Sequence, residues 1–114
     1  MNKIKWENMK VVVYEQMKNY LMFACAYEPN NEILRNAAKK FISDILLKCL
    51  VDLKVLSDVE VKCDETVNTK DVVFANAFKL RFAWKESPKH EWTVAEFTLS
   101  PNGMKLIEKA GGED

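Results

Sequence analysis

The sequence predicts an α+β fold, with two helices packed on one face of a small, mainly antiparallel sheet of three to four strands and short terminal arms. Three observations carry it. Leu34, Ala38, Phe41, Ile42, Ile45, Leu46, Cys49, Leu50 and Leu53 recur at helical spacing. Val59, Val61 and Cys63 alternate with Glu60, Lys62 and Asp64, and Phe78, Leu80, Phe82 and Trp84 alternate with Lys79, Arg81, Ala83 and Lys85. Pro29 stops a first helix before the second begins. At 114 residues the chain makes one domain, and a hydrophobic content of 48% suffices for one modest core.

Residues 1–8 read as an N-terminal arm. Lys3, Ile4, Lys5, Trp6 and Glu7 alternate, so Ile4 and Trp6 share one face of an extended segment. The same residues also read as a terminus whose Trp6 folds back onto the body. A first helix follows from about Asn8 to Ala26, with Val13, Met17, Tyr20, Leu21 and Ala24 on its apolar side. Asn8 suits its N-cap, while the β-branched run Val11-Val12-Val13 lowers its propensity. The second helix starts at Asn30 or Asn31, whose side chains can accept from the free N–H groups of the first turn, and Glu32 suits the positive end of the dipole.

The rest reads as strands. The first ends in the acidic, amide-rich turn Asp64-Glu65-Thr66, and Asp64, Thr66 and Asn68 are assigned structural roles there, bonding free backbone groups. Glu86-Ser87-Pro88-Lys89 is the turn between the second and third strands. In the third, Trp92 and Val94 hold one parity and Ala95, Phe97 and Leu99 the other, which calls for a bulge near Val94 or burial on both faces. Pro101-Asn102-Gly103 ends it. Residues 101–114 then read as a C-terminal tail beyond a body of residues 9–100, with Met104, Leu106 and Ile107 as its apolar part.

Charge and composition narrow the functional classes. The 17 basic and 17 acidic side chains balance, which argues against an electrostatic footprint for nucleic acid and favours self-association through weak colloidal repulsion. The three cysteines form no C-x-x-C pair and read as reduced, buried thiols of a cytosolic product. No apolar run approaches a membrane span, and the start lacks the apolar core of a signal peptide. A single histidine, His90, rules out a histidine-based metal cluster within the chain. Glu60-Val61-Lys62 on a strand matches part of a metal-dependent nuclease core, but such chemistry needs a further converging carboxylate. Asp64, Glu65 and Asp71 lack the central glycine of a calcium loop. No catalytic, cofactor-binding or metal site is assigned.

Two segments point elsewhere. Tyr27-Glu28-Pro29-Asn30-Asn31-Glu32 is similar to the helix junction of the C-terminal domain of contractile phage tail sheath proteins. Val61-Lys62-Cys63-Asp64-Glu65-Thr66 with Asn68-Thr69 resembles that family's strand-end motif, and Asp71 onward, with Asn76 and Phe78, its acidic loop. The Pro88 to Leu99 hairpin resembles its proline-containing turn and final strand, so the resemblance covers roughly residues 9–99. It implies an α+β domain without enzyme activity, placed against a tail tube in a virion tail and assembled in the host cytoplasm. It also implies a ring or helical stack of like subunits, linked when arms add strands to neighbouring sheets. Ile4 and Trp6 would then be one donor, and Met104, Leu106 and Ile107 a second contact. Sheath proteins are several times longer, so the expectation is a reduced, stand-alone version, with a tail completion, terminator or collar protein as the alternative. A metal-dependent nuclease and a small host-binding adaptor are the alternatives of another class.

Overall fold

A computed structural model describes residues 6–51, 55–86 and 91–110, without the side chains of 47–51 and 110. Helix α1 spans Trp6–Tyr20 and runs directly into a π-helical turn, Leu21–Cys25. Helix α2 spans Glu32–Val51, strand β1 Leu56–Lys62, a short helix α3 Lys70–Phe74, and strands β2, β3 and β4 Phe78–Glu86, Trp92–Ser100 and Gly103–Ala110. The strands form one antiparallel meander in the order β1-β2-β3-β4. α1 and α2 cover one face, giving the α+β sandwich that the alternation predicts.

The helices take their bounds from local chemistry. Asn31 caps α2, its Oδ1 accepting from the Leu34 N–H at 2.9 Å. The π turn widens the helix just where Leu21 and Cys25 must both face inward behind Met17, and all three are buried. The chain then leaves the helix through Tyr27, which sits at φ 66°, the left-handed conformation that ends many helices.

Trp6 corrects the expected arm. It opens α1 instead of extending outward, is 3% exposed, and meets Trp84 edge-on with ring centroids 5.3 Å apart. Burial of a large indole against the sheet outweighs the strand alternation of the preceding residues. Ile4 lies outside the described residues, as do Leu53, Pro88 and His90, and so does most of the Glu86–Lys89 turn. The expected tail is corrected as well. Residues 103–110 form β4, so the body extends from Trp6 to Ala110 and not from 9 to 100. Pro101 and Asn102 form the tip of a tight hairpin in which Ser100 pairs with Gly103 at φ 125°, a conformation that glycine adopts without strain.

Phe78, Leu80, Phe82 and Trp84 share the buried face of β2, beside Ala95, Phe97 and Leu99 of β3. No bulge occurs near Val94, where β2 and β3 pair without interruption from Phe78–Leu99 to Lys85–Trp92. Trp92 and Val94 stand instead on the opposite, half-covered face. The bulge is in β1, at Ser57, between the pairs Leu56–Glu86 and Asp58–Lys85. Tyr14 locks α1 to this core. Its ring meets Phe82, Trp84 and Phe97 edge-on at 5.8, 6.3 and 5.4 Å. Its hydroxyl donates to Glu108 Oε1 of β4 at 2.7 Å, and the Lys10 ammonium reaches the same carboxylate at 3.1 Å.

Burial, followed by the bond and charge of Glu108, holds the Tyr14 phenol protonated well above its ordinary value. A raised folded-state value leaves stability flat below the unfolded phenol's pKa near 10 and erodes it as pH climbs beyond that. Tyr14→Phe keeps the ring contacts and removes a hydrogen bond to a charged group, so urea unfolding should show a loss of about 1.5–3 kcal/mol at neutral pH. The same variant should lose less stability than the wild type between neutral pH and strongly alkaline pH. Equal slopes for both proteins would place the phenol outside the core.

Candidate functional site

The two motif segments meet in space. The start of α2, the turn after β1 and the start of β2 converge on Asn68, the one polar residue that is buried among those described, at 3% exposed. Asn68 acts like an inserted peptide unit. Its Oδ1 accepts from the Lys79 N–H at 2.8 Å, and its Nδ2 donates to the Lys79 carbonyl at 2.9 Å. Asn30 Nδ2 donates to the same Oδ1 at 2.9 Å and to the Ala77 carbonyl at 2.9 Å. Arg35 then donates to Asn30 Oδ1 at 2.7 Å, so a guanidinium polarises the chain of bonds from α2 into β2. The Cys63 thiol adds a bond to the Lys79 carbonyl at 3.4 Å.

Asp64 and Thr66 set the turn that delivers Asn68. Asp64 Oδ1 accepts from both the backbone N–H and the hydroxyl of Thr66, and the Asp64 carbonyl accepts from the Val67 and Asn68 N–H groups. These bonds, the Thr66 hydroxyl foremost, hold the Asp64 carboxyl below its usual value despite its exposure. Thr69 then caps α3, which occupies the stretch read from sequence as an acidic loop, and Asn76 leaves it at φ 57°. Asn68 was legible as a turn former; its pairing with Asn30 was not, because no spacing rule links residues 38 positions apart.

The thiols give this cluster no nucleophile. Burial pushes Cys25 up to about 11 and Cys63 up to about 12, so both are neutral at physiological pH. Cys49 lies outside the described side chains. Glu60 and Lys62 sit on the outer face of the edge strand β1, opposite Ala83 and Arg81. Glu96, the carboxylate nearest in register, is instead held by Arg81 at 2.9 Å and Lys79 at 3.6 Å. Among the described residues, no three His, Cys, Asp or Glu side chains come together in a way that could hold a metal ion.

What remains is surface. The outer sheet face carries Lys62, Lys79, Arg81, Lys85, Lys105 and Lys109 with Asp58, Glu60 and Glu96, around Trp92, Val94 and Ile107. The Lys85 ammonium lies 5.1 Å from the Trp92 ring centre. Both sheet edges, β1 and β4, are unpaired within the described fold. Of the expected interface residues, Met104 and Leu106 pack partly against the core, Trp6 is inside it, and Ile107 is 50% exposed on the outer face of β4. Sequence reading missed Phe23, Ile33 and Phe74, which are large apolar side chains that are almost wholly exposed. The available signal was that Phe23 falls off the Val13-Met17-Leu21 core row.

No protein-family description, no curated protein and no solved structure matches this chain. No described helix is long and apolar enough to cross a membrane.

Asn68→Ala strands the Lys79 N–H and leaves its carbonyl only the weak bond from the Cys63 thiol, and chemical denaturation should show a loss of about 2–4 kcal/mol. Asp64→Ala and Thr66→Ala act at the exposed rim and should cost about 0.5–1 kcal/mol each. An Asn68→Ala loss no larger than those at the rim would mean that the buried amide is not what joins α2 to β2.

Proposed function

We propose that the chain is a structural subunit of a phage tail, sheath-like, that assembles with copies of itself by strand addition at an open sheet edge. The observation that carries the reading is β4, a strand of 8 residues on the rim of the sheet, hydrogen-bonded to β3 along one side and, among the described residues, unpaired along the other. Such an edge is a template for another strand. The resemblance to the sheath domain agrees with it, since the two segments that carry that resemblance make one structural cluster at Asn68.

The structure changes how the link is drawn. Trp6 is committed to the core, and Met104 and Leu106 are committed to the sheet, so these three side chains are not free donors, while Ile4 lies outside the described residues. The β4 edge is the acceptor, with Ile107 and the charged residues beside it as its exposed surface. Each ladder bond contributes about 0.5–1.5 kcal/mol, so one edge makes a weak contact. A ring or helical stack, in which every subunit both gives and receives, adds such contacts up. The further partners are the tail tube or neighbouring tail proteins. Neither nucleic acid, membrane nor cofactor has a part in this reading.

Two measurements test it. Purified tail particles should contain the chain in many copies, and the isolated chain should form rings or rods by electron microscopy. Ile107→Lys faces Glu96 across the ladder and should leave the melting temperature unchanged while weakening assembly roughly tenfold or more. Absence from particles, together with association unaffected by Ile107→Lys, would contradict the proposal.

A further inference from the structure

The face of the molecule away from the sheet carries a groove between the two long helices. Tyr20 and Phe23 wall one side, Phe41 and Ile45 the other, and Gln16 and Asn19 complete a space of about 370 Å³. Among the described residues, its lining contains no charged side chain. Tyr20 and Phe41 stack across it, ring centroids 4.2 Å apart and planes within 12°. That stack joins the helices and leaves the rims bare. Phe23 is 90% exposed and Ile33 82%. Ile33, Ala37, Phe41 and Ile45 follow one another at intervals of four along α2, and Val12, Gln16, Asn19 and Phe23 run in parallel on the other side.

We infer that this groove is a two-fold interface filled by a second copy of the chain, an inference that rests on the self-assembly reading only in its choice of occupant. The first argument is shape. A projecting Phe23 and the hole beside Phe41 lie on the same surface, and a two-fold axis makes each the complement of the other. The second is charge. The described lining, free of charged groups, suits an apolar, uncharged occupant, and the groove's own rim is such a face. The chain's zero net charge adds no long-range repulsion between copies. The third is area. A stable interface hides roughly 800 Å² on each partner. Each large aromatic side chain supplies about 150–250 Å² when buried. Phe23, Ile33 and Val12, with the exposed part of Phe41, supply most of an apolar centre of that scale, and Gln16 and Asn19 supply polar groups beside it. The groove lies on the helical layer and the β4 edge on the sheet rim, so one copy can engage both.

The experiment is sedimentation equilibrium of the full chain, with a half-labelled sample for NMR. The wild type should dimerise, and intermolecular contacts should join the Phe23 ring of one copy to the Ile45 methyls of the other. Phe23→Ser and Ile33→Lys change side chains that are almost wholly exposed, so both should melt like the wild type while weakening the dimer roughly tenfold or more. Ile107→Lys should leave this dimer intact. A dimer that survives Phe23→Ser but is lost in Ile107→Lys overturns the groove interface and leaves the strand-edge reading standing. The converse result supports the groove, and the strand edge is then judged by the rings and rods, which Ile107→Lys should weaken while the dimer persists. A chain monomeric at every concentration, with the groove covered only by another tail protein, overturns the second copy as occupant.

Discussion

The fold depends on one buried carboxamide. Asn68 presents an acceptor and a donor to the N–H and carbonyl of Lys79, as a neighbouring strand would. A polar group out of water must find partners or cost a sizeable share of the fold's margin. Here every strong valence is used, because Oδ1 accepts from both Lys79 and Asn30 and Nδ2 reaches two carbonyls. That requirement fixes three elements at once: the capped start of α2, the turn after β1, and the first residues of β2. Once β2 is placed, its inward row of Phe78, Leu80, Phe82 and Trp84 sets where Tyr14 and Trp6 of α1 can pack.

The alternation of β1 and β2 and the helical spacing of α2 were legible because each repeats over several residues with one face buried. Trp6 was harder. Its neighbours alternate like a strand, and only the indole socket beside Trp84, far along the chain, makes it the first residue of a helix. Met104 to Ile107 read as a tail because the run is short and the polar Gly-Gly-Glu-Asp end follows it; β3 supplies the partner that turns it into a strand. In β3 the parity of Trp92 and Val94 called for a bulge or for burial on both faces, and the second holds in part, since both stand half-buried on the outer face of an unbroken ladder. The π turn and α3 left no periodic mark, one being a single widened turn and the other only 5 residues long. Of the site, the turn chemistry of Asp64 and Thr66 was visible locally. The junction with Asn30 was not, since it forms only when α2 and β2 come together.

The molecule divides its labour by layer. Its described motif residues are spent on holding the sandwich, through bonds that close on themselves and a buried Cys63 thiol that donates to the Lys79 carbonyl. What faces outward is an open strand edge, a mixed-charge sheet face around Trp92, and an apolar helical face around Phe23. The proposed building block would use these surfaces, which lie on different sides of the molecule.

Amide hydrogen exchange followed by NMR tests the central interaction most directly. Lys79 lies at the very start of β2, where terminal ladder amides usually fray. If Asn68 acts as its ladder partner, the Lys79 N–H should exchange as slowly as those of Leu80 and Phe82 and should open only with the whole domain. Exchange of the Lys79 amide at the rate of an exposed loop, with Leu80 and Phe82 protected, would contradict the account.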